Sequence, residues 1–357
     1  MTLKEKLGQL VMAGFEGTRS SKAIMHLVAS TRVGGVILFR RNVEDPAQVL
    51  SLTRSLQRAA PRAPLFIAVD QEGGRVSRLP PPFTQFPAAA VLGKRKSVSL
   101  TYAVGEVMGR ELAAVGINMN MAPVLDVNTN AANPIIGDRA FGDSPMVVEE
   151  HGLALMVGLQ DCRVIACGKH FPGHGATSAD SHLELPEVAA SLRDLERVHL
   201  RPFEHAIANR LAAVMTAHVR YPALDKREPA TLSTKILSNL LRRAMGFDGL
   251  VVTDALEMKA ISDRYDAAAA ALKAFQAGAD LLLYCENPDA PAEAVDALAM
   301  AVKRGRLSEA RVDESLNRIL RLKERFLLGG RASTRSMLRE VVGCEAHLRL
   351  VQQVQAS

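Results

Sequence analysis

Tryptophan is absent from the 357-residue chain, and aromatic residues make up only 4% of it. Grooves that bind single-stranded nucleic acid interleave aromatic side chains with basic ones, so this shortage argues against such a partner despite a formal net charge of +6. The basic residues also occur in scattered short groups, for example Arg40-Arg41 and Lys94-Arg95-Lys96, rather than as one patch. We therefore expect no nucleic-acid partner.

Cysteine is scarce as well, and no CxxC spacing occurs among Cys162, Cys167, Cys285 and Cys344. The sequence thus indicates neither a cysteine-based zinc site nor a disulfide framework. A leader peptide is not indicated, because polar residues such as Glu5 and Glu16 interrupt the N-terminal apolar run. No apolar run approaches the roughly 20 residues that a bilayer requires. We expect a cytoplasmic protein that holds reduced thiols and does not bind a membrane.

The chain does contain a regular alternation of short apolar runs with helical patterns. Eight runs are predicted strands, at 9–15, 35–39, 65–70, 117–126, 164–170, 212–219, 249–255 and 279–285. Apolar spacings of three and four residues predict helices between most of them, such as 46–60, 101–116, 145–160 and 265–278. Strands bounded by helices indicate a parallel sheet buried on both faces, and eight such units favour a (β/α)8 TIM-type barrel over a doubly wound sheet.

After residue 287 the pattern is helical only, with Ser308 as an expected N-cap and Gly329 as an expected helix stop. We expect a single domain in which the barrel and its extra helices occupy residues 1–330. The C-terminal tail, residues 331–357, is expected to contain one more helix and no second domain.

Ionisable residues cluster at the carboxyl ends of the predicted strands, whereas the amino ends begin with apolar or small residues. The residues at these carboxyl ends are Asp70, Asp126, Lys169, His170, His218 and Asp254. Solvent exposure would explain polar residues at both ends of buried strands. The asymmetry is instead typical of the catalytic face of a barrel.

The segment 169–182, KHFPGHGATSADSH, follows one of these strands and combines three histidines with a lysine and an aspartate. Asp180 can hydrogen-bond an imidazole nitrogen of His182 and favour the protonated ring, which suits a general acid/base. Gly173 and Gly175 would let the loop open and close over a substrate. The sequence assigns no role to His174.

Asp254 lies where an apolar strand meets a helical segment, and two interpretations fit it. As a helix N-cap, its carboxylate would accept backbone hydrogen bonds. As a nucleophile, it would form a covalent intermediate with a substrate. Its expected position on the same rim as segment 169–182 favours the nucleophile.

Two further polar groups lie in turns that contain glycine. Asp70 is followed by a Gly-Gly turn and by Arg75 and Arg78, and Arg139 lies in the sequence GDRAFG. Carboxylate and guanidinium groups suit the recognition of hydroxyl and carboxylate groups. For Arg75, an internal ion pair that tethers the loops is the stronger interpretation.

A metal-dependent barrel hydrolase is the rival function, because residues of ligand type are present: His170, His174, His182, His218 and Asp254. However, the first predicted strand carries no HxH pair, and neither HExxH nor CxxC occurs. We therefore expect no bound metal, and loss of activity with a chelator would reveal the rival.

Four stretches, in order, resemble the β-N-acetylhexosaminidases of glycoside hydrolase family 3, of the bacterial cell-wall-recycling type. They are VDQEGGRVSR (69–78), GDRAFG (137–142), KHFPGHGATSADSH (169–182) and VVTDALEM (251–258). The resemblance covers roughly residues 1–328. It implies a TIM-type barrel that removes terminal N-acetylglucosamine from N-acetylglucosaminyl-anhydromuramoyl peptides in the cytoplasm, without a metal or organic cofactor.

The resemblance also implies roles for individual residues. Asp254 would be the nucleophile and His182 the acid/base, assisted by Asp180, in a retaining exo-hydrolysis. The terminal sugar would be bound by Asp70, Arg78, Arg139, Lys169 and His170. Many other family members carry their acid/base in a second domain, so in this chain we expect it within the barrel.

Two other functions stay open. A neutral histidine acid/base carries no negative charge, so phosphate could replace water as the acceptor, and the protein would be an N-acetylglucosaminide phosphorylase. A catalytically silent sugar-binding protein would bind N-acetylglucosamine without turnover, although Asp254 together with Asp180 and His182 argues against it. We expect a monomer, and the sequence does not indicate the physiological aglycone.

Overall fold

The computed structural model describes residues 1–95, 97–178, 181, 184–329 and 334–356. Each predicted run corresponds to one strand of a parallel sheet, and β7 extends one residue beyond its run: β1 (Val11–Ala13), β2 (Gly35–Leu38), β3 (Phe66–Val69), β6 (Met119–Asn120), β7 (Ile165–Phe171), β8 (Ala213–Thr216), β9 (Leu250–Val252) and β10 (Leu282–Tyr284). A separate antiparallel hairpin consists of β4 (Gln71–Gly73) and β5 (Val76–Ser77). The sheet order is β10-β1-β2-β3-β6-β7-β8-β9, and a parallel bridge between Val252 and Leu281 joins its two ends. The (β/α)8 TIM-type barrel is therefore confirmed.

Helices surround the barrel, and the four predicted between strands are confirmed with ends shifted by up to three residues. The α-helices are α1 (Leu3–Gly8), α2 (Lys22–His26), α3 (Pro46–Ala59), α4 (Ala89–Gly93), α5 (Val98–Ala114), α6 (Pro145–Asp161), α7 (Leu192–Asp194), α8 (Arg201–Ala208), α9 (Lys259–Ser262), α10 (Ala267–Ala277), α11 (Ala290–Lys303), α12 (Glu309–Leu327), α13 (Arg335–Val341) and α14 (Glu345–Gln355). The side chain of Ser308 accepts a hydrogen bond from the Arg311 N–H and caps α12 as expected. In the part of the chain that the structure describes, no helix is long and apolar enough to cross a lipid bilayer.

Burial explains why the strands read as continuous apolar runs rather than as alternating ones. Every residue of the eight barrel strands is buried, because side chains point either into the barrel or against the helices. The run 117–126 contributes the two residues of β6 and an isolated parallel bridge between Val124 and Lys169, and Pro123 between them has no N–H to donate. Its backbone nevertheless continues beside β7, with the Leu125 N–H 2.7 Å from the Lys169 carbonyl oxygen.

The tail contains two described helices, α13 and α14, rather than the one that we expected. The chain turns between them at Gly343, which has φ +62°. A Cβ atom there would lie 2.0 Å from the Pro82 carbonyl oxygen. Both the positive φ and this lack of space therefore require glycine. Weak periodicity in the sequence did not reveal this turn.

A buried carboxylate joins the tail to the loop that follows the hairpin. Glu111 on α5 accepts hydrogen bonds from the Thr84 N–H at 2.9 Å and hydroxyl at 2.5 Å, the Gly343 N–H at 2.9 Å and His347 Nδ1 at 2.8 Å. These four residues, Thr84, Glu111, Gly343 and His347, form the Glu111 cluster. The cluster fixes the tail against the barrel.

Lys323 on α12 is a buried amine with no carboxylate partner among the described residues. Its side chain is 2% exposed, its Nζ donates to Gln9 Oε1 at 2.7 Å, and it lies 4.9 Å from the centre of the Phe66 ring. Burial lowers the pKa of Lys323 to about 7. The amine of an unfolded chain has a pKa near 10.4, so between these values the unfolded state binds more protons and the free energy of unfolding rises with pH.

We expect Lys323→Met to stabilise the protein most below pH 7, by roughly 2–4 kcal/mol after allowing for the lost bond to Gln9. The gain should shrink toward zero between about pH 7 and pH 10, because over this range the amine of the unfolded wild type also loses its proton. Denaturant unfolding of both proteins from pH 6 to pH 10 measures this difference. A difference that stays constant across this range would contradict a buried, readily deprotonated amine.

Candidate active site

Six of the sequence-predicted site residues line one cavity of about 570 Å³ at the carboxyl ends of the barrel strands. They are Asp70, Arg78, Arg139, Lys169, His170 and Asp254. Asp70 follows β3, Lys169 and His170 end β7, and Asp254 follows β9. Because parallel strands end at one rim, residues far apart in sequence meet here.

The hairpin β4–β5 brings its arginines over this rim. Its turn needs glycine, because Gly73 and Gly74 have φ +99° and +55°, and a Cβ on Gly73 would lie 2.6 Å from the Pro87 carbonyl oxygen. Arg75 pairs with Asp138 (Nε to Oδ1, 3.1 Å) and with the Ile135 carbonyl oxygen, so it tethers two loops as expected. The Nε atom of Arg78 is buried and has no hydrogen-bond partner among the described residues.

Two cations of the cavity, Lys169 and Arg139, are held by two carboxylates. Lys169 Nζ lies 2.7 Å from Asp70 Oδ1 and 2.7 Å from Glu72 Oε1. Arg139 donates two parallel hydrogen bonds to Glu72, from Nη2 to Oε1 at 2.7 Å and from Nε to Oε2 at 2.8 Å. Burial opposes ionisation of Glu72, but Lys169 and Arg139 outweigh it and lower its pKa to about 2. The four side chains Asp70, Glu72, Arg139 and Lys169 form a charge-balanced ion cluster.

Glu72 was not predicted as a site residue, although the sequence contains a signal for it. Asp70 and Glu72 are two positions apart in an extended segment, a spacing that places side chains on the same face. Because Glu72 binds Arg139, much of the Arg139 guanidinium contacts protein and is not free to bind a ligand.

Glu72→Gln should raise KM for aryl N-acetyl-β-glucosaminides by roughly tenfold to a hundredfold, with a smaller effect on kcat. The amide removes one negative charge and turns an N–H donor toward Arg139 or Lys169, which disorders both cations. Steady-state kinetics measures the two constants. Glu106→Gln, which breaks an i,i+4 pair with Arg110 outside the cavity, is the control and should behave as wild type. An unchanged KM in Glu72→Gln would contradict a supporting role.

Asp254 is not the cap of a helix. Its Oδ1 accepts the neighbouring Ala255 N–H at 2.8 Å, but α9 begins at Lys259 and its N-cap position is Met258. Burial opposes ionisation of Asp254, but the imidazoles of His218 and His170 outweigh it, so its pKa falls below the ordinary value. The structure therefore presents an ionised carboxylate to the cavity, as a nucleophile requires.

His218, expected near the barrel mouth, is not among the residues that line the cavity. It is buried, with Nδ1 2.7 Å from the Thr231 hydroxyl and Nε2 2.9 Å from the Ala255 carbonyl oxygen. Since a carbonyl oxygen can only accept, Nε2 donates that bond. His218 thus supports the backbone next to Asp254.

The first half of segment 169–182 packs closely against neighbouring parts of the chain. A Cβ on Gly175 would lie 1.9 Å from the Val127 carbonyl oxygen, so close backbone approach accounts for this glycine. The Tyr221 hydroxyl donates to the Gly173 carbonyl oxygen at 2.8 Å. Close packing is thus a second reason for glycine at position 175, and the opening of the loop at these glycines stays a prediction.

His174, which had no assigned role, is an internal link of this segment. It is buried, with Nδ1 2.9 Å from the Thr177 hydroxyl and Nε2 3.3 Å from the Ser181 hydroxyl. Burial lowers the pKa of His174 to about 4, so the ring is neutral near pH 7. It is better suited to holding the segment than to transferring protons at neutral pH.

Asp180 and His182, the predicted acid/base pair, lie outside the described residues. Ser181 between them is described, is buried and lines the cavity. Within the described ranges, no group of three or more His, Cys, Asp or Glu side chains is arranged to hold a metal ion.

Comparisons with known proteins find similar sequences and structures over most of the chain. The family model described as the glycosyl hydrolase family 3 N terminal domain matches residues 2–322. The beta-hexosaminidase of Nitrosomonas eutropha is 40% identical over 327 residues, which cover 89% of this chain and 93% of that protein. The beta-hexosaminidase of Alkalilimnicola ehrlichii is 42% identical over 290 residues, covering 80% and 82%.

Solved structures are similar over nearly the whole chain. A family 3 β-N-acetylglucosaminidase from a Paenibacillus species has a TM-score of 0.96 and 44% identity, covering 99% of this chain and 68% of that one. NagZ from Neisseria gonorrhoeae, solved in complex with N-trifluoroacetyl-D-glucosamine, has a TM-score of 0.81 and 33% identity, with 97% of each chain covered.

Proposed function

This chain belongs to glycosyl hydrolase family 3, and from that premise we propose that it is a retaining, exo-acting β-N-acetylglucosaminidase acting on peptidoglycan fragments. It is a glycoside hydrolase, like the beta-hexosaminidases that it matches over most of their length. The observation that most supports the finer proposal is an ionised Asp254 in the same cavity as Asp70, Lys169 and His170.

In the first step, a carboxylate oxygen of Asp254 attacks the anomeric carbon of the terminal sugar. The bond from that carbon to the glycosidic oxygen breaks, and His182 gives its proton to this oxygen, so the aglycone leaves as an alcohol. The products are a glycosyl ester of Asp254 and a neutral His182.

In the second step, His182 takes a proton from water while the water oxygen attacks the anomeric carbon. Asp254 leaves as a carboxylate, and the sugar is released with its original β configuration. The usual retaining scheme places two carboxyl groups about 5–5.5 Å apart, so a histidine acid/base is a departure from that scheme.

The other cavity residues would hold the terminal sugar through its hydroxyl and acetamido groups. Asp70 can accept a hydrogen bond from a sugar hydroxyl with the oxygen that does not bind Lys169, and Arg78, which lines the cavity, can donate from its guanidinium group. The ion cluster keeps these groups in place before the substrate arrives, which reduces the cost of ordering them. We propose the same sugar-binding role for Lys169, Arg139 and His170.

For the aglycone we propose anhydromuramoyl peptides, and for the cellular role cell-wall recycling in the cytoplasm. The proposal is supported by the four sequence motifs and by the similarity to NagZ from Neisseria gonorrhoeae. Mass analysis of a muropeptide digest should show loss of one N-acetylglucosamine per molecule, with His182→Ala as the inactive control. An unchanged digest would rule out this aglycone.

Assays with an aryl N-acetyl-β-glucosaminide distinguish the proposed retaining hydrolase from the alternative functions. Proton NMR at early times should show the β anomer of N-acetylglucosamine, as expected of two successive displacements. Release of N-acetylglucosamine 1-phosphate in phosphate buffer would instead indicate a phosphorylase. Loss of activity with a chelator would indicate a metal-dependent hydrolase, and binding without turnover a silent sugar-binding protein.

A further inference from the structure

Asp126 lies directly behind the cavity and has no role in the proposed reaction. It is fully buried, it does not line the cavity, and it ends the predicted strand run 117–126. We propose that Asp126 is a positioning residue that holds His170 in one ring orientation and one tautomer, with Nε2 as the nitrogen available to the sugar. This inference rests on the proposed function, because His170 is one of the proposed sugar-binding residues.

Both carboxylate oxygens of Asp126 form hydrogen bonds with segment 169–182. Its Oδ1 accepts the backbone N–H of His170 at 3.1 Å and that of His174 at 2.6 Å. Its Oδ2 lies 2.8 Å from His170 Nδ1. One side chain therefore fixes both the backbone and the ring of His170, together with the chain four residues later.

The charge of Asp126 decides which nitrogen of His170 carries a proton. Burial opposes ionisation of Asp126, but His170 outweighs it, so the pKa of Asp126 falls below its ordinary value. An ionised carboxylate can only accept hydrogen bonds, so Nδ1 of His170 must donate to it. In the neutral ring Nε2 is then unprotonated and can accept a hydrogen bond from a sugar hydroxyl.

The substitution Asp126→Asn keeps the shape of the side chain and reverses this assignment. Its carbonyl oxygen can still accept the two backbone N–H groups, which leaves the amide NH2 facing Nδ1. The neutral ring then carries its proton on Nε2, so His170 offers the sugar a donor where it had offered an acceptor. We expect KM to rise about tenfold to a hundredfold and kcat to change by less than about threefold. This pattern is expected when the lost interaction stabilised the bound substrate and the transition state equally.

The test combines nitrogen NMR with kinetics on the full chain. The 15N chemical shifts of the His170 ring are measured in wild type and in Asp126→Asn without substrate, and the signals are assigned by their absence from His170→Gln. Kinetics of p-nitrophenyl N-acetyl-β-glucosaminide gives KM and kcat. Glu111→Gln is the matched control, because Glu111 and His347 form a buried carboxylate and imidazole pair, also at 2.8 Å, that does not line the cavity.

The proposal expects a proton on Nδ1 of His170 in wild type, and an Nε2 proton with raised KM in Asp126→Asn but not in Glu111→Gln. A wild-type neutral ring protonated on Nε2 overturns it, even if Asp126→Asn does not fold. An unchanged tautomer or KM in folded Asp126→Asn also overturns it. If wild type shows the Nδ1 proton but does not hydrolyse the glycoside, the proposed function fails while the tautomer assignment stands.

Discussion

Replacing Asp254 by alanine is expected to lower kcat on aryl N-acetyl-β-glucosaminides by about four orders of magnitude, or roughly 5–6 kcal/mol of activation free energy. The variant has no carboxylate beside the anomeric carbon, so the covalent intermediate cannot form. The fold should persist, because among the described residues the Asp254 side chain accepts a single hydrogen bond, from the adjacent Ala255 N–H. Initial rates together with circular dichroism measure both expectations.

Azide should partly restore turnover of Asp254→Ala with an activated aryl glycoside. The small anion enters the space left by the carboxylate and attacks from the same side, so the expected product is the α-glycosyl azide. Asp248→Ala is the matched control, because this exposed aspartate precedes the same strand at the opposite end of the barrel. Near-normal turnover of Asp254→Ala would show that another residue is the nucleophile.

The second large effect is expected for His182→Ala and should depend on the leaving group. For a muropeptide, whose alcohol leaving group needs a proton, the rate should fall by about 10²–10⁴-fold. For a dinitrophenyl glycoside, whose leaving group is stable as an anion, formation of the glycosyl ester should be nearly unaffected and its hydrolysis slow. A burst of dinitrophenol followed by a slow steady state would reveal this pattern.

Asp180→Asn should give a smaller loss of the same kind, because it weakens the proposed partner of His182 and leaves the imidazole in place. His205→Ala is the control, since this histidine is exposed on α8. Equal losses for both leaving groups in His182→Ala would contradict its role as the acid/base.

The sequence predicted the barrel and most of its rim because both depend on local patterns. Fully buried parallel strands appear as continuous apolar runs, and a polar residue directly after such a run lies at the shared rim. Asp70, Lys169, His170 and Asp254 followed from this rule alone. These four residues meet in one cavity because the parallel strands of the barrel all end at the same rim. Each position could therefore be predicted from its own segment.

What the sequence could not show is which groups pair across the fold. Glu72 and Arg139 are 67 positions apart, and Asp126 and His170 are 44 apart, so no local spacing relates them. Gly175 illustrates the same limit, because the close approach of the Val127 carbonyl oxygen that requires glycine there is not visible in the sequence. The two tail helices depend on a contact with Pro82 that no sequence pattern indicates.

The ion cluster of Asp70, Glu72, Arg139 and Lys169 also bears on inhibitor design. Its two carboxylates and two cations already satisfy one another, so a ligand with a formal charge at this end would have to displace an internal partner. Hydroxyl and amide groups are better suited to it. Beside the ionised Asp254, a protonated ring nitrogen in place of the anomeric carbon would gain a direct ion pair. A selective inhibitor should therefore carry its single positive charge there and remain neutral elsewhere.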